Sequence, residues 1–347
     1  MMPKIFRFFD QAIEMGASDL NLKPGAPPVY RVNGHLIISE EDALAPQEMY
    51  DLFLPLIDAA RQANLRNIFE VYAMYRYKRQ ARIRYYLFQQ REGYAGSFRF
   101  VTPHIPVIEE LNLPAILDAE AAKPRGLFLV TGPAGCGKSH TMAAMVQSIN
   151  RKFARHIITM ENPIEFVFIP HQSIFTQIEV GTQIPTYQDA LTNALREDPD
   201  VMMIGEMRDQ KTVEMALVAS ETGHFVLSTL PTLGASSTIE RIVSFFPPDK
   251  HEEIRLQVSL SLVGIFSQIL IPKVTHEQRA SVAYELLIAN PAIRTLIRDK
   301  KYGQLQSAML MARREGCVTM KDSLTRLLRE ESVNQPLIKA MLQEIVE

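Results

Sequence analysis

The octapeptide Gly132-Pro133-Ala134-Gly135-Cys136-Gly137-Lys138-Ser139 decides the fold. It satisfies the pattern G-x-x-x-x-G-K-[ST] in full. A short apolar run, Leu127-Phe128-Leu129-Val130, precedes it, and a helical stretch follows to Asn150. Strand, glycine turn and helix are the setting in which a chain wraps phosphate. Gly135 and Gly137 let the backbone curl so that successive N–H groups face inward. The following helix adds the positive end of its dipole. Lys138 is placed to reach the β- and γ-phosphates and the Ser139 hydroxyl to ligate Mg²⁺. Cys136 reads as a small loop residue, because no second thiol stands near it.

Outward from this loop, apolar strands alternate with helical stretches. The strands are His156-Ile157-Ile158-Thr159-Met160, Val201-Met202-Met203-Ile204 and Phe225-Val226-Leu227-Ser228-Thr229. That alternation predicts an α/β fold with parallel crossovers. Ligands bind such sheets at the carboxyl ends of the strands. Glu206 emerges there, after Asp200-Val201-Met202-Met203-Ile204-Gly205. Gly205 stands where many P-loop proteins carry Asp, so the Mg²⁺- or water-holding role falls to Glu206. Glu161 and Glu165 follow the strand ending at Met160. Triphosphate hydrolysis needs a group that orients the attacking water. From the residues alone, each of the two is equally a candidate for that task and for a surface ion pair.

About the first hundred residues read as a small mixed module. Lys4 to Met15 carries apolar residues at helical spacing, Ser18 to Leu22 alternates like a strand, and Val29 to Val32 resumes before the hairpin signal Asn33-Gly34. Gln47 to Asn64 reads as a helix, and Ala81 to Phe88 and Tyr94 to Val101 as strands rich in Arg, Tyr and Phe. Arg82, Arg84, Arg91 and Arg99 cluster on these two strands and their turn. Pro103 and Pro106 suggest a linker, and the last eighty residues or so read as mostly helical, with an apolar stripe at Ala292, Ile293, Leu296 and Ile297.

The 347 residues suggest two domains, and 47% hydrophobic with 22% charged residues excludes a disordered chain. With 37 Lys plus Arg against 39 Asp plus Glu, binding of nucleic acid by bulk charge is not expected. Two distant cysteines, Cys136 and Cys317, exclude a disulfide scaffold and a cysteine-rich zinc module. Met1 to Leu20 interleaves Lys4, Arg7, Asp10 and Glu14, unlike a signal peptide. The longest apolar stretch, Leu260 to Pro272, is shorter than the ~20 residues a bilayer requires. The expectation is a soluble, cytoplasmic protein, with peripheral membrane contact left open.

Taken together, several segments resemble the PilT branch of the secretion ATPase superfamily. They are the P-loop, Ile158-Thr159-Met160-Glu161-Asn162-Pro163-Ile164-Glu165-Phe166, Ala194 to Asp200, Gly205-Glu206-Met207-Arg208-Asp209 and Glu221-Thr222-Gly223-His224. Ser18-Asp19-Leu20 with Gly25-Ala26-Pro27-Pro28, and Ala292 to Asp299, extend the likeness over nearly the whole chain. The resemblance implies a PAS-like α+β domain (1–102), a linker (103–123), a RecA-like P-loop ATPase core (124–275) and a helical C-terminal region (276–347). It implies ATP and Mg²⁺ as ligands, with Gly132 to Ser139, His140 and His224 around the nucleotide. Glu165 becomes the catalytic base and Glu206 the Walker B carboxylate, with Lys138 and Glu161 beside them. Arg82, Arg84 and Arg99 would reach a nucleotide held at a subunit interface.

The activity so implied is that of a hexameric motor driving type IV pilus retraction and twitching, at the cytoplasmic face of the inner membrane. Its partners would be a PilC-like platform protein and a paralogous retraction ATPase. An accessory, PilU-like paralogue with weak hydrolysis is the first alternative. A pilus assembly or type II secretion ATPase is the second, although those usually carry a four-cysteine metal element and this chain has two cysteines. Departures from the family pattern are Asn162 for Asp, Pro231 for His in Thr229-Leu230-Pro231-Thr232, His140 for Thr and Asn21 for His. Pro231 can neither titrate nor donate, which removes any sensing role of that position.

Overall fold

The computed structural model describes residues 3–32, 34–57, 70–78, 81–101, 104–274, 280–330 and 333–346. The chain divides into two compact units, 1–104 and 105–347. No helix among the described residues is long and apolar enough to cross a membrane.

The first unit is α1 (Lys4–Glu14), β1 (Asp19–Leu22), β2 (Val29–Val32), β3 (His35–Ile38), α2 (Pro46–Phe53), β4 (Glu70–Tyr77), β5 (Ala81–Gln90) and β6 (Gly93–Val101). Its strands form one antiparallel sheet in the order β3-β2-β1-β6-β5-β4. Strand period sends alternate side chains to opposite faces. Leu20, Leu22, Tyr30, Ile83, Tyr85, Leu87 and Phe98 are buried in one cluster with Ile5, Phe8 and Phe9 of α1 and Met49, Leu52 and Phe53 of α2. The other face mixes a row of charged residues with exposed apolar ones such as Leu36, Ile38, Tyr72 and Tyr86. Asp19 stands opposite Arg31 on one side and Arg99 on the other, and Arg99 stands opposite Arg84. The helix expected over Gln47 to Asn64 stops at Phe53, and a 3₁₀ turn Leu54–Leu56 follows. Pro55 explains the stop, because its ring clashes with the preceding turn of an α-helix. The remainder of that expected helix, from 58, lies outside the described residues.

The second unit opens with α3 (Ile116–Ala121). The stretch expected to link the domains packs into this unit, with Ile108, Leu113, Leu117 and Ala121 buried in its core. There follow β7 (Gly126–Thr131), α4 (Lys138–Lys152), β8 (His156–Glu161), β9 (Ile174–Glu179), α5 (Tyr187–Ala194), β10 (Val201–Ile204), α6 (Gln210–Glu221) and β11 (Phe225–Leu230). Then come α7 (Ala235–Ser244), α8 (His251–Ser261), β12 (Leu262–Ile271), β13 (Ser281–Ile288), α9 (Pro291–Arg298), α10 (Leu305–Met311), α11 (Met320–Leu327) and α12 (Gln335–Val346). The sheet runs β13-β12-β7-β11-β10-β8-β9. Every neighbouring pair is parallel except β12 with β13.

Every residue of β7, β10 and β11 is buried, as expected of parallel strands covered on both faces. Their sequences are accordingly continuous apolar runs. Helix α4 is buried from Thr141 to Asn150, so the P-loop rests on an element enclosed by the core. The C-terminal region is not helical throughout: β13 completes the sheet, and the apolar stretch 260–272 is largely strand β12. On α9, Ile293 and Ile297 are buried and Ala292 is exposed, which makes the stripe a packing face.

Candidate functional site

The P-loop runs directly from the carboxyl end of β7 into α4. Gly135 and Gly137 have φ of 77° and 89°, the left-handed region that the curl requires. Gly132 is needed for a different reason. A Cβ there would lie 2.2 Å from the Gln268 carbonyl oxygen and 2.7 Å from Cys136 Sγ, so β12 approaches the loop too closely for any side chain. Pro133, Ala134 and Gly135 form an exposed tip, while Cys136 is buried and Lys138 and Ser139 are half-buried. Lys138 Nζ donates to the carbonyls of Gly132 (2.8 Å) and Pro133 (3.0 Å). The ammonium is thereby held over the loop, with the third of its donors left for an anion. Burial pushes the Cys136 thiol above its ordinary range, which makes it a packing group and a poor nucleophile.

Three carboxylates reach the same edge of the sheet. Glu161 ends β8, Glu165 lies in the loop after it, and Glu206 follows β10. The strands carrying them are not neighbours of β7: β11 separates β7 from β10, and β8 lies beyond β10. Glu161 is buried and accepts from Thr159 Oγ1 (2.9 Å) and from the Glu165 backbone N–H (3.3 Å). Burial pushes its carboxyl up to about 7, against the pull of the Thr159 hydroxyl and the Glu165 amide. Glu161 therefore anchors the loop that presents Glu165. Glu206 is half-buried and accepts from Arg208 Nη2 at 3.0 Å. The residues around it are tied to β11, since Thr229 Oγ1 donates to the Gly205 carbonyl (2.6 Å) and Met207 N–H to the Thr229 carbonyl (3.2 Å). The exposed His140 sets its ring edge-on to Phe166, centroids 5.1 Å apart, joining the start of α4 to the loop of Glu165.

Among the described residues no group of three or more His, Cys, Asp or Glu gathers to hold a metal by itself. A hard cation held here would take one hydroxyl from Ser139 and one carboxylate from Glu206, with its other ligands from phosphate and water.

A complete phosphate loop and three acidic side chains thus lie along one sheet edge, and residues 108–343 match the type II/IV secretion system protein family. The chain belongs to that family. The twitching motility protein of Neisseria gonorrhoeae is 39% identical over 304 residues, 87% of this chain and 81% of that protein. The type IV pilus retraction ATPase PilT of Pseudomonas aeruginosa is 36% identical over 322 residues, 93% of each. A crystal structure of the pilus retraction motor PilT with bound ADP superposes with a TM-score of 0.89 at 40% identity, covering 97% of this chain and 96% of that one.

One expected residue of this family member is not brought to the loop. His224 precedes β11, so a six-residue strand, about 20 Å at strand rise, separates it from the edge where the P-loop lies. Its Nδ1 instead sits 2.9 Å from the Ala219 carbonyl and 3.3 Å from Thr222 Oγ1, closing the end of α6. Arg82, Arg84 and Arg99 lie in the first unit, on the sheet face opposite its core, whereas Arg91 lies in the turn after β5. Asp19 holds Arg31 Nε at 3.9 Å and Arg99 Nε at 3.8 Å, so Arg31 joins the row that the sequence reading confined to β5 and β6.

No sequence motif marks Gln268. Buried on β12, it accepts from Thr141 Oγ1 (2.6 Å) and donates to the Cys136 carbonyl. One amide therefore clamps the P-loop and the first turn of α4. Its signal was a lone amide inside an apolar run, since a buried polar group requires partners. Gln177 and Glu179 of β9 were also unmarked. Gln177 Oε1 accepts from the Phe168 N–H (2.9 Å) and Glu179 Oε2 from the Ile164 N–H (3.2 Å), bracing the Glu165 loop from the sheet's edge strand.

Proposed function

We propose that this chain is the ATP hydrolase of a type IV pilus retraction motor. The observation that carries the reading is the convergence of the full P-loop, Glu165 and Glu206 on one sheet edge, in a family member similar to PilT over nearly its whole length. The loop amides and Lys138 neutralise the transferring phosphoryl group, where preorganised donors contribute most. Glu165 orients the attacking water and takes its proton. Ser139 and Glu206 would hold Mg²⁺, which supplies charge neutralisation across the phosphates. Six protomers form a ring, with the PAS-like first unit of one lending Arg82, Arg84 and Arg99 to the nucleotide of the next. Guanidinium forks suit that task.

Such contacts exist with the triphosphate and weaken after cleavage, and only differential contacts of this kind move a conformational equilibrium. The motor works at the cytoplasmic face of the inner membrane, against a PilC-like platform protein. A second reading, an accessory paralogue with weak hydrolysis that partners another retraction ATPase, is favoured by Pro231 and Asn162. A deletion strain tests the proposal. Hyperpiliated, non-twitching cells support retraction, bald cells point to assembly, and normal twitching with normal pilus number refutes both.

A further inference from the structure

Tyr187 opens α5, and no motif marks it. Its hydroxyl nonetheless stands at the hydrolytic edge. A Cβ built on Gly205 would lie 3.1 Å from Tyr187 Oη, 3.5 Å from the Met160 carbonyl oxygen and 3.6 Å from Glu161 Cα. Gly205 directly follows β10, Glu161 ends β8, and the two strands are paired. The phenol therefore enters the gap between the strand ends from which Glu161 and Glu206 emerge. That gap is where the side chain of an Asp at position 205 would begin. We propose that Tyr187 is a positioning residue of the hydrolytic site, its hydroxyl taking the space of the missing carboxylate and offering Glu206, and the water that Glu206 holds, a neutral hydrogen-bond donor.

Charge explains why a phenol serves here. Glu161, Glu165 and Glu206 already bring three carboxylates to this edge, and a fourth beside them would disfavour ionisation of its neighbours. A phenol adds a donor and no charge. Burial pushes the Tyr187 hydroxyl up to about 12; among its charged neighbours Arg208 pulls it down, while Glu161 and Glu206 push it up. A phenol is protonated near neutral pH, so it serves here as a hydrogen-bond donor. Geometry also couples the two positions. A methyl at 205 would displace the hydroxyl by a few tenths of an ångström.

The inference rests on the hydrolase reading of the site, and its test separates the two. The full chain is compared as wild type, Tyr187→Phe, Gly205→Ala and the double variant. Hydrolysis gives kcat and KM, titration with ADP reports the nucleotide cradle without turnover, and thermal melting reports the fold. Tyr187→Phe is expected to lower kcat about tenfold, the equivalent of one hydrogen bond, with KM, ADP affinity and melting temperature unchanged. Gly205→Ala is expected to lower kcat as well, but to add nothing in the Tyr187→Phe background, as for two changes at one contact. A wild-type kcat in Tyr187→Phe overturns the inference, and so do losses that add in the double variant. ADP affinity or melting temperature falling in step with kcat also overturns it, by assigning Tyr187 to packing. A wild-type chain that binds ADP but never hydrolyses ATP removes the hydrolase reading itself, and the inference with it.

Discussion

The two sheets of this molecule answer the same burial problem in opposite ways. The six-stranded antiparallel sheet covers one face with α1 and α2 and leaves charged residues on the other, so its chemistry lies across a face, in the row Arg31, Asp19, Arg99, Arg84. The seven-stranded sheet is buried on both faces along β7, β10 and β11, so its chemistry is confined to the strand ends. A parallel sheet collects its carboxyl ends at one edge, and that geometry brings together residues as far apart in sequence as Lys138 and Glu206. An antiparallel sheet cannot do this, because alternate strands end at opposite edges. What it offers instead is a register in which side chains of like kind line up.

The sharpest way to break this contrast is to remove chemistry from the strand-end site without touching the core. Glu165→Gln keeps the loop's shape and is expected to lower ATP turnover by roughly 10² to 10³-fold, with the melting temperature unchanged. Retained turnover would move the base to another residue. Gln268→Leu probes the clamp beneath the loop. It leaves the Cys136 carbonyl and the Thr141 hydroxyl without their partner, and is expected to cost about 1–3 kcal/mol in denaturant unfolding and to weaken ADP binding. Unaltered ADP affinity would make Gln268 a core residue only.

Glu161 sharpens the contrast through pH. Its carboxyl is raised from the ordinary 4.5 to about 7 in the folded chain. Between those values the folded state binds more protons than the unfolded one. Its contribution to stability is therefore complete below pH 4.5 and is lost as pH rises through 7, a change of up to about 3 kcal/mol. Glu161→Gln should flatten that part of the stability–pH curve, and an unchanged slope would show that Glu161 titrates alike in the folded and unfolded chain. The smallest effect belongs to the open edge of the other sheet. Ile38, 68% exposed on edge strand β3, should tolerate Ser within about 0.5 kcal/mol. A larger loss would mean that β3 is covered.

What was legible in the sequence follows the same division. Strands β7, β10 and β11 were readable because burial on both faces writes itself as an unbroken apolar run. The P-loop was readable because its glycines answer local backbone demands. Strand β13 was not, since Glu285 interrupts Ser281–Ile288 and its burial depends on capping the Ala235 N–H, a partner fifty residues away. The sheet order was hidden for a related reason. β8 follows β7 in the chain, yet β11 and β10 lie between them, and packing of the crossovers sets that order. His224 shows the consequence: a motif position names a residue, but only strand direction tells which edge it occupies. Gln268 and Tyr187 were missed because each acts on a loop remote in sequence, through a contact that only the folded sheet creates.

The central claim, that triphosphate is held in the amide-lined loop around Lys138 and cleaved there, is tested most directly by titrating ATP against the wild-type chain and Lys138→Ala and then measuring turnover of both. The account predicts saturable ATP binding and hydrolysis by the wild type, and a loss of about 100-fold or more in turnover for Lys138→Ala at an unchanged melting temperature. Wild-type turnover in Lys138→Ala would contradict it.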